Sequence, residues 1–177
     1  MSKGLSGLTI TWFLLTSIIV SIDLVYVLTR PNDASKRHPL SSNYVFAQWE
    51  YYSTFDKRYA VNDDAFVVVQ SLCNAVEIVF QLFAVLLHAA GKYTTANTLA
   101  LVVSVMTLYK TVMYGMMEHF EGGKYTNHNS TADLIQMVVI PSSFWILIPG
   151  VIVLQSWRRV TGAASAAKSV SKLQKSK

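Results

Sequence analysis

Apolar residues gather in four long runs, separated by stretches rich in charge, glycine and aromatic rings. The runs cover about residues 8–29, 65–90, 96–118 and 134–157. A helix of about 20 apolar residues crosses the ~30 Å hydrocarbon core of a bilayer, so each run predicts a transmembrane helix. The first run lacks a basic start and a small-residue cleavage site and is read as a retained helix, not a signal peptide. Residues 91–95 predict a tight turn that makes the second and third helices antiparallel neighbours. The stretch 43–58 predicts a short interfacial helix, with Tyr44, Trp49, Tyr51 and Tyr52 in the headgroup belt. Residues 120–133 are polar, with Gly122 and Gly123 as the breaker. The expected domain is residues 1–160, followed by a basic tail, 161–177, whose Ala/Ser/Lys composition predicts disorder.

Polar residues inside the runs are not scattered. The second helix carries Gln70, Asn74, Glu77, Gln81 and His88, spaced so that they share one face. The third carries Ser104, Thr107, Thr111, Tyr114 and Glu118, again on one face. On the first helix Thr16 or Ser17, Asp23 and Tyr26 share a side, and the fourth offers Gln136, Ser142, Ser143 and Trp145 beside Pro141 and Pro149. Lipid offers such stripes no hydrogen bonds, so they must converge. The expected fold is therefore an all-α membrane protein, a four-helix transmembrane bundle with an intramembrane cavity. Interhelical hydrogen bonds average only ~0.6 kcal/mol, and Ser or Thr would supply them. An acid at mid-membrane costs at least ~2.5–3.5 kcal/mol, so Asp23 and Glu77 point to a functional cavity, not to glue. Lys110 lies one position off the third stripe and either pairs with a carboxylate, which would favour a purely structural role for the stripes, or snorkels.

Composition agrees: 52% of the 177 residues are hydrophobic and only 14% are charged, against roughly 25% charged in soluble domains. Four spans put both termini on one side. Lys3, Lys92, Arg158, Arg159 and a tail with Lys168, Lys172, Lys175 and Lys177 assign that side to the cytoplasm. Arg30, Lys36, Arg37, Lys57 and Arg58 on the other side make the bias modest. The net charge of +5 suits anionic lipid and gives no reason to invoke nucleic acid. Cys73 is the single cysteine, so no internal disulfide forms. No His/Cys spacing suggests a metal, and no glycine-rich loop suggests a phosphate cofactor. His88 reads as interfacial, while His38 and His128 receive no role. Asn129-Ser130-Thr131 is a glycosylation sequon close to the fourth helix.

Several ordered segments resemble one family. Asp56-Lys-Arg-Tyr59, Asn62-Asp-Asp-Ala-Phe66, Leu101-Val-Val-Ser-Val105 with Tyr109, Glu118-His119-Phe-Glu-Gly122 and the stretch from Trp145 to Leu154 resemble the sterol Δ8–Δ7 isomerases. The segments from Ile22 to Leu28 and from Glu77 to Leu82 look more like the sigma-2 receptor. Both belong to the emopamil-binding protein family, the EXPERA superfamily, and the resemblance runs over about residues 10–165. It implies an acid on the first core helix, matched by Asp23. It implies a glutamate on the next helix, where one register gives Gln70 or Ser71 and the other gives Glu77. It keeps the last-helix tryptophan as Trp145. Ser142 stands where the isomerases have an asparagine and Ile19 where they have a histidine, and their additional N-terminal helix is not expected here.

The resemblance implies an isomerase, or a cyclase, acting on a hydrophobic polycyclic lipid such as a sterol or terpenoid, with no cofactor. A protonated carboxyl gives its proton to an alkene, an aromatic face steadies the cation, and a second base removes a neighbouring proton. Asp23 and Glu77 are the expected pair, with Glu118 a third acid at the cavity mouth or a helix cap. Gln70, Ser71, Asn74, Tyr109, Thr111, Tyr114, Ser142 and Trp145 are the expected substrate contacts. The alternative is a non-enzymatic binder of sterols or cationic amphiphiles, of the sigma-2 type. Endoplasmic reticulum residence and a homodimer follow from the resemblance alone.

Overall fold

The computed structural model describes residues 3–175, and beyond Ser165 the backbone only. Every element among them is helical: α1 is Gly7–Thr29, α2 Ala47–Tyr52, α3 Phe66–Ala89, α4 Tyr93–Phe120, α5 Thr131–Asp133 and α6 Ile140–Lys175. Four helical stretches are long and apolar enough to cross a membrane, with mean hydropathies of 2.0, 1.8, 1.5 and 2.3. Large apolar side chains such as Ile18, Val79, Leu86, Leu147 and Leu154 stand exposed on their outer faces. Water would penalise that belt, whereas hydrocarbon does not.

Local chemistry sets the ends. Ser6 caps α1 by accepting the Thr9 N–H. Gly91 at φ +72° turns the chain between α3 and α4, while the Lys92 N–H closes on the Leu87 carbonyl. Gly122 and Gly123, at φ +71° and +72°, end α4 in the same way, with the Gly123 N–H on the Glu118 carbonyl. Ser130 caps α5, which runs into a π-helical stretch, Leu134–Val139, and then into α6. Here the Ile140 N–H reaches the Ile135 carbonyl. Pro141, next in sequence, has no N–H to continue an α-helical ladder, and the wider turn accommodates it.

α1 packs on α3, α3 on α4, and α4 on α6. Ala84, Ala96 and Ala100 are fully buried where the helices approach, and Leu5, Phe13, Val103 and Ile152 fill the core beside them. Small residues allow that approach in a membrane. A buried polar layer lies above: the Thr16 and Ser17 hydroxyls both donate to Gln81 Oε1, at 3.3 and 3.1 Å. The N-terminal segment ties one end of the bundle together. The Leu5 N–H donates to His88 Nδ1, Arg159 to the Gly4 carbonyl, and Asn97 to the Lys3 carbonyl. His88 thus anchors a chain end inside the protein, and both ends of the chain's bundle lie together.

Two expectations are revised. Residues 161–175 continue α6 as helix where disorder was expected; Ala and Lys are strong helix formers, and a preformed helix gives them a template. The stretch 43–58 is not one interfacial helix but a 3₁₀ turn, Tyr44–Phe46, then α2 and an irregular segment that closes over the bundle. His38 is buried: it accepts the Leu40 N–H at Nδ1, so Nε2 carries the proton and donates to the Tyr26 carbonyl at 2.9 Å. The sequon is engaged too. The Asn129 amide donates to the carbonyls of Phe55, at 2.7 Å, and Thr126, at 2.8 Å. Asn129 is therefore expected to stay unglycosylated when the chain is made in microsomes, read as no endoglycosidase-sensitive mobility shift.

Candidate active site

The stripes converge on one cavity of about 400 Å³, within the ~300–1,000 Å³ of small-molecule sites. From α1 it is lined by Ile19, Val20 and Asp23, and from α3 by Gln70, Asn74 and Glu77. Thr107, Lys110, Thr111 and Tyr114 of α4 form a third wall, and Met137, Pro141, Ser142 and Trp145 a fourth. Met137, Pro141 and Trp145 fall at spacings of four, one face of the fourth span. The covering segment adds Gln48, Trp49, Tyr51, Tyr52 and Tyr59. Trp145 also meets Trp12 edge to face, with ring centroids 5.3 Å apart.

Asp23 is buried and makes no ion pair among the described residues. Trp49 Nε1–H donates to its Oδ1 at 2.9 Å and the Ser71 hydroxyl to its Oδ2 at 3.5 Å. Burial, with the Asp23 carboxylate nearby, pushes the Tyr59 phenol well above its ordinary range, so it stays a donor. Glu77 is held differently. Lys110 Nζ lies 2.9 Å from its Oε1, and the Thr107 hydroxyl donates to its Oε2 at 2.7 Å. Lys110 also donates to Asn74 Oδ1, and Gln70 donates to the Lys110 carbonyl. Of the two open fates for Lys110, pairing is the one realised. No hydrogen bond joins Asp23 to Glu77 among the described residues. Asp23 sits level with Ser71, and about 9 Å of helix rise separates Ser71 from Glu77. Both acids face the cavity, at different depths.

Two sequence candidates lie elsewhere. Tyr109 is 69% exposed on the outer face of α4; two positions from Thr107, it turns about 200° away from the stripe. Glu118 does not line the cavity. Its Oε1 accepts the Tyr125 N–H at 2.9 Å and the Thr126 hydroxyl at 2.8 Å, and its Oε2 lies 3.1 Å from Arg58. It closes the loop after α4, because the stripe runs on past the cavity's end. Trp49 and Tyr52, assigned to the headgroup belt from sequence, turn into the cavity, whereas Tyr44 is 94% exposed.

Sequence reasoning missed the clasp that holds the cover. Arg58 is fully buried and pairs with Asp64, Glu118 and Glu121. Its guanidinium also lies over the rings of Phe66, Tyr114 and Tyr125. Burial works against its charge, yet the surrounding acids hold its pKa above the ordinary value. Its backbone N–H donates to Asp56, which also accepts the Tyr114 hydroxyl at 2.7 Å. Burial raises the Asp56 pKa. The signals in the sequence were the segments Asp56-Lys-Arg-Tyr59, Asn62-Asp-Asp-Ala-Phe66 and Glu118-His119-Phe-Glu-Gly122, read as resemblance with no role for Arg58.

Fold and site together define a membrane-embedded helical bundle around a cavity that is aromatic at its cover and polar on two helices. Residues 43–156 match the family model EXPERA (EXPanded EBP superfamily), and the chain belongs to that family. It is similar to a rice (Oryza sativa subsp. japonica) protein named probable 3-beta-hydroxysteroid-Delta(8),Delta(7)-isomerase, 28% identical over 87% of this chain and 66% of the relative. It is also similar to a protoglabretal synthase of Ailanthus altissima, 24% identical over 86% of this chain and 67% of the relative. An isomeliandiol synthase of Melia azedarach is 25% identical over 84% and 67%. The chain thus spans about two thirds of the length of these relatives. They carry the names of a steroid isomerase and of two synthases.

Proposed function

We propose that the protein is a membrane-embedded isomerase, or cyclase, of a hydrophobic polycyclic lipid such as a sterol or triterpenoid. The observation that carries this reading is Asp23, a buried acid that forms no salt bridge among the described residues, facing a cavity lined by Trp49, Tyr52, Tyr59 and Trp145. The Asp23 carboxyl gives its proton to one alkene carbon, and the other carbon becomes cationic. The aromatic faces stabilise that charge. Loss of a proton from a neighbouring carbon to the Glu77 carboxylate yields an isomer of the substrate. In a cyclase the cation is attacked within the same molecule before a proton leaves. Ser71 and Trp49 orient Asp23, while Gln70, Asn74, Thr111, Tyr114 and Ser142 offer polar contacts to the substrate.

We place the protein in the endoplasmic reticulum membrane with both termini cytoplasmic. Lys3, Lys92, Arg158 and Arg159 support this, since Arg58 at the opposite end is neutralised by three acids. A homodimer is part of the same proposal and rests on the family alone. One observation favours a second reading, a non-enzymatic binder. Lys110 already neutralises Glu77, which leaves Asp23 to pair with a cationic amphiphile. Microsomes carrying the protein, fed a Δ8-sterol and a triterpenoid extract, separate the two. A product of unchanged mass with a moved double bond, or a new ring, supports the enzyme. Displaceable binding of a sterol or amine without any product supports the binder.

A further inference from the structure

The wall formed by Lys110, Asn74 and Glu77 has a hydrogen-bond inventory that does not close within the protein. A lysine ammonium has three N–H donors and no acceptor. One is taken by Glu77 Oε1 and one by Asn74 Oδ1. The third has no acceptor among the described residues. Because lysine only donates, Asn74 must turn its carbonyl oxygen to it. Its own amide N–H donors are then left over, and they have no partner among the described residues. Each Glu77 oxygen accepts one hydrogen bond, from Lys110 or from Thr107, and neither accepts from Asn74 among the described residues. All these groups line the cavity. What this wall presents to a ligand is an excess of donors inside a membrane, where unpaired donors are costly.

We infer that Lys110 and Asn74 form an anchor for a carbonyl or carboxylate oxygen of the lipid ligand, at a wall of the cavity distinct from the Asp23 carboxyl. A ketone or carboxylate meets both sets of donors with acceptor lone pairs alone. A hydroxyl accepts as well but brings its own donor, which adds to the excess unless it meets a spare lone pair on Glu77 or another lining oxygen. A pure hydrocarbon leaves the donors bare. This inference deepens the proposed function and rests on its reading of the cavity as a lipid site. It gives the preferred substrate an oxidised position and leaves the alkene to Asp23. The chemistry that supplies such a substrate is then oxidation of an alcohol to a ketone or acid.

The test uses cholestanone, cholestanol and cholestane, which differ at one oxygen. Binding to the full chain in lipid nanodiscs is read as quenching of tryptophan emission, since Trp49 and Trp145 line the cavity, and is expressed per mole fraction of ligand in the membrane. A site built to pair an oxygen rejects the analogue that lacks it, so cholestanone is expected to bind at least about tenfold more tightly than cholestane, with cholestanol between. The comparison is made within the unmodified protein and needs no variant to fold. In Lys110→Met combined with Asn74→Leu and Glu77→Met, which removes the anchor's donors together with the counter-charge, the three are expected to converge to within about twofold. Equal binding of the three by the unmodified protein overturns the anchor and leaves the lipid cavity standing. Binding of none overturns both.

Discussion

Asp23→Asn is expected to lower turnover by about a hundredfold or more while the protein still accumulates and binds lipid, because positioned general acids contribute about 10²–10⁴-fold. The asparagine carbonyl still accepts from Trp49, and the side chain keeps its size between α1 and α3. It has no acidic proton to give an alkene. No cation is orphaned, since Asp23 makes no ion pair among the described residues. Loss of activity would thus be separable from loss of fold, which lipid-induced quenching of Trp49 and Trp145 would monitor. Turnover within a few-fold of the unmodified protein would remove Asp23 from the chemistry. Glu77→Gln is a less clean probe, because it also strips Lys110 of its counter-charge.

Arg58→Met is expected to destabilise the protein by about 3–5 kcal/mol, the usual consequence of removing one partner from a buried ionic cluster. The guanidinium has no solvent exposure and serves Asp64 at 2.9 Å, Glu118 at 3.1 Å and Glu121. Without it three carboxylates are left together at the end of α4, and three aromatic rings lose the cation they surround. Arg30, which donates to the carbonyls of Arg58, Ala60 and Asp64, would lose the shape of its receptor as well. The effect would reach the cavity through Asp56, which accepts from both the Arg58 N–H and the Tyr114 hydroxyl of α4. Unfolding in detergent measures it. A change under about 1 kcal/mol would mean that solvent screens the cluster as it does a surface pair.

The helices and two of the cavity walls were legible in the sequence because both are periodic. Gln70, Asn74 and Glu77 recur on one face of α3, and Thr107, Thr111 and Tyr114 on one face of α4; lipid forbids either face to point outward. Periodicity gives direction around a helix but not depth along it, which is why Glu118 looked like part of the cavity and is not. Tyr109 entered through a resemblance and not through the stripe, and the stripe's geometry excludes it. Trp49, Tyr52 and Tyr59 sit in a segment with no regular period. A rule that sends aromatic residues to the headgroups cannot say which way they turn. Lys110 was off the stripe by one position, within reach of a long flexible side chain. Arg58 joins Asp64 of the cover to Glu118 and Glu121 at the end of α4, a convergence that appears only once the cover folds onto α4.

The most direct test of the account is the position of label after turnover in deuterated water. A Δ8-sterol and a triterpenoid extract are supplied to the unmodified protein and to Asp23→Asn, and products are located by mass spectrometry and deuterium NMR. The account predicts one deuterium on the former alkene carbon of an isomerised or cyclised product, present with the unmodified protein and nearly absent with Asp23→Asn. A rearranged product that carries no deuterium, or equal labelling from both proteins, would contradict it.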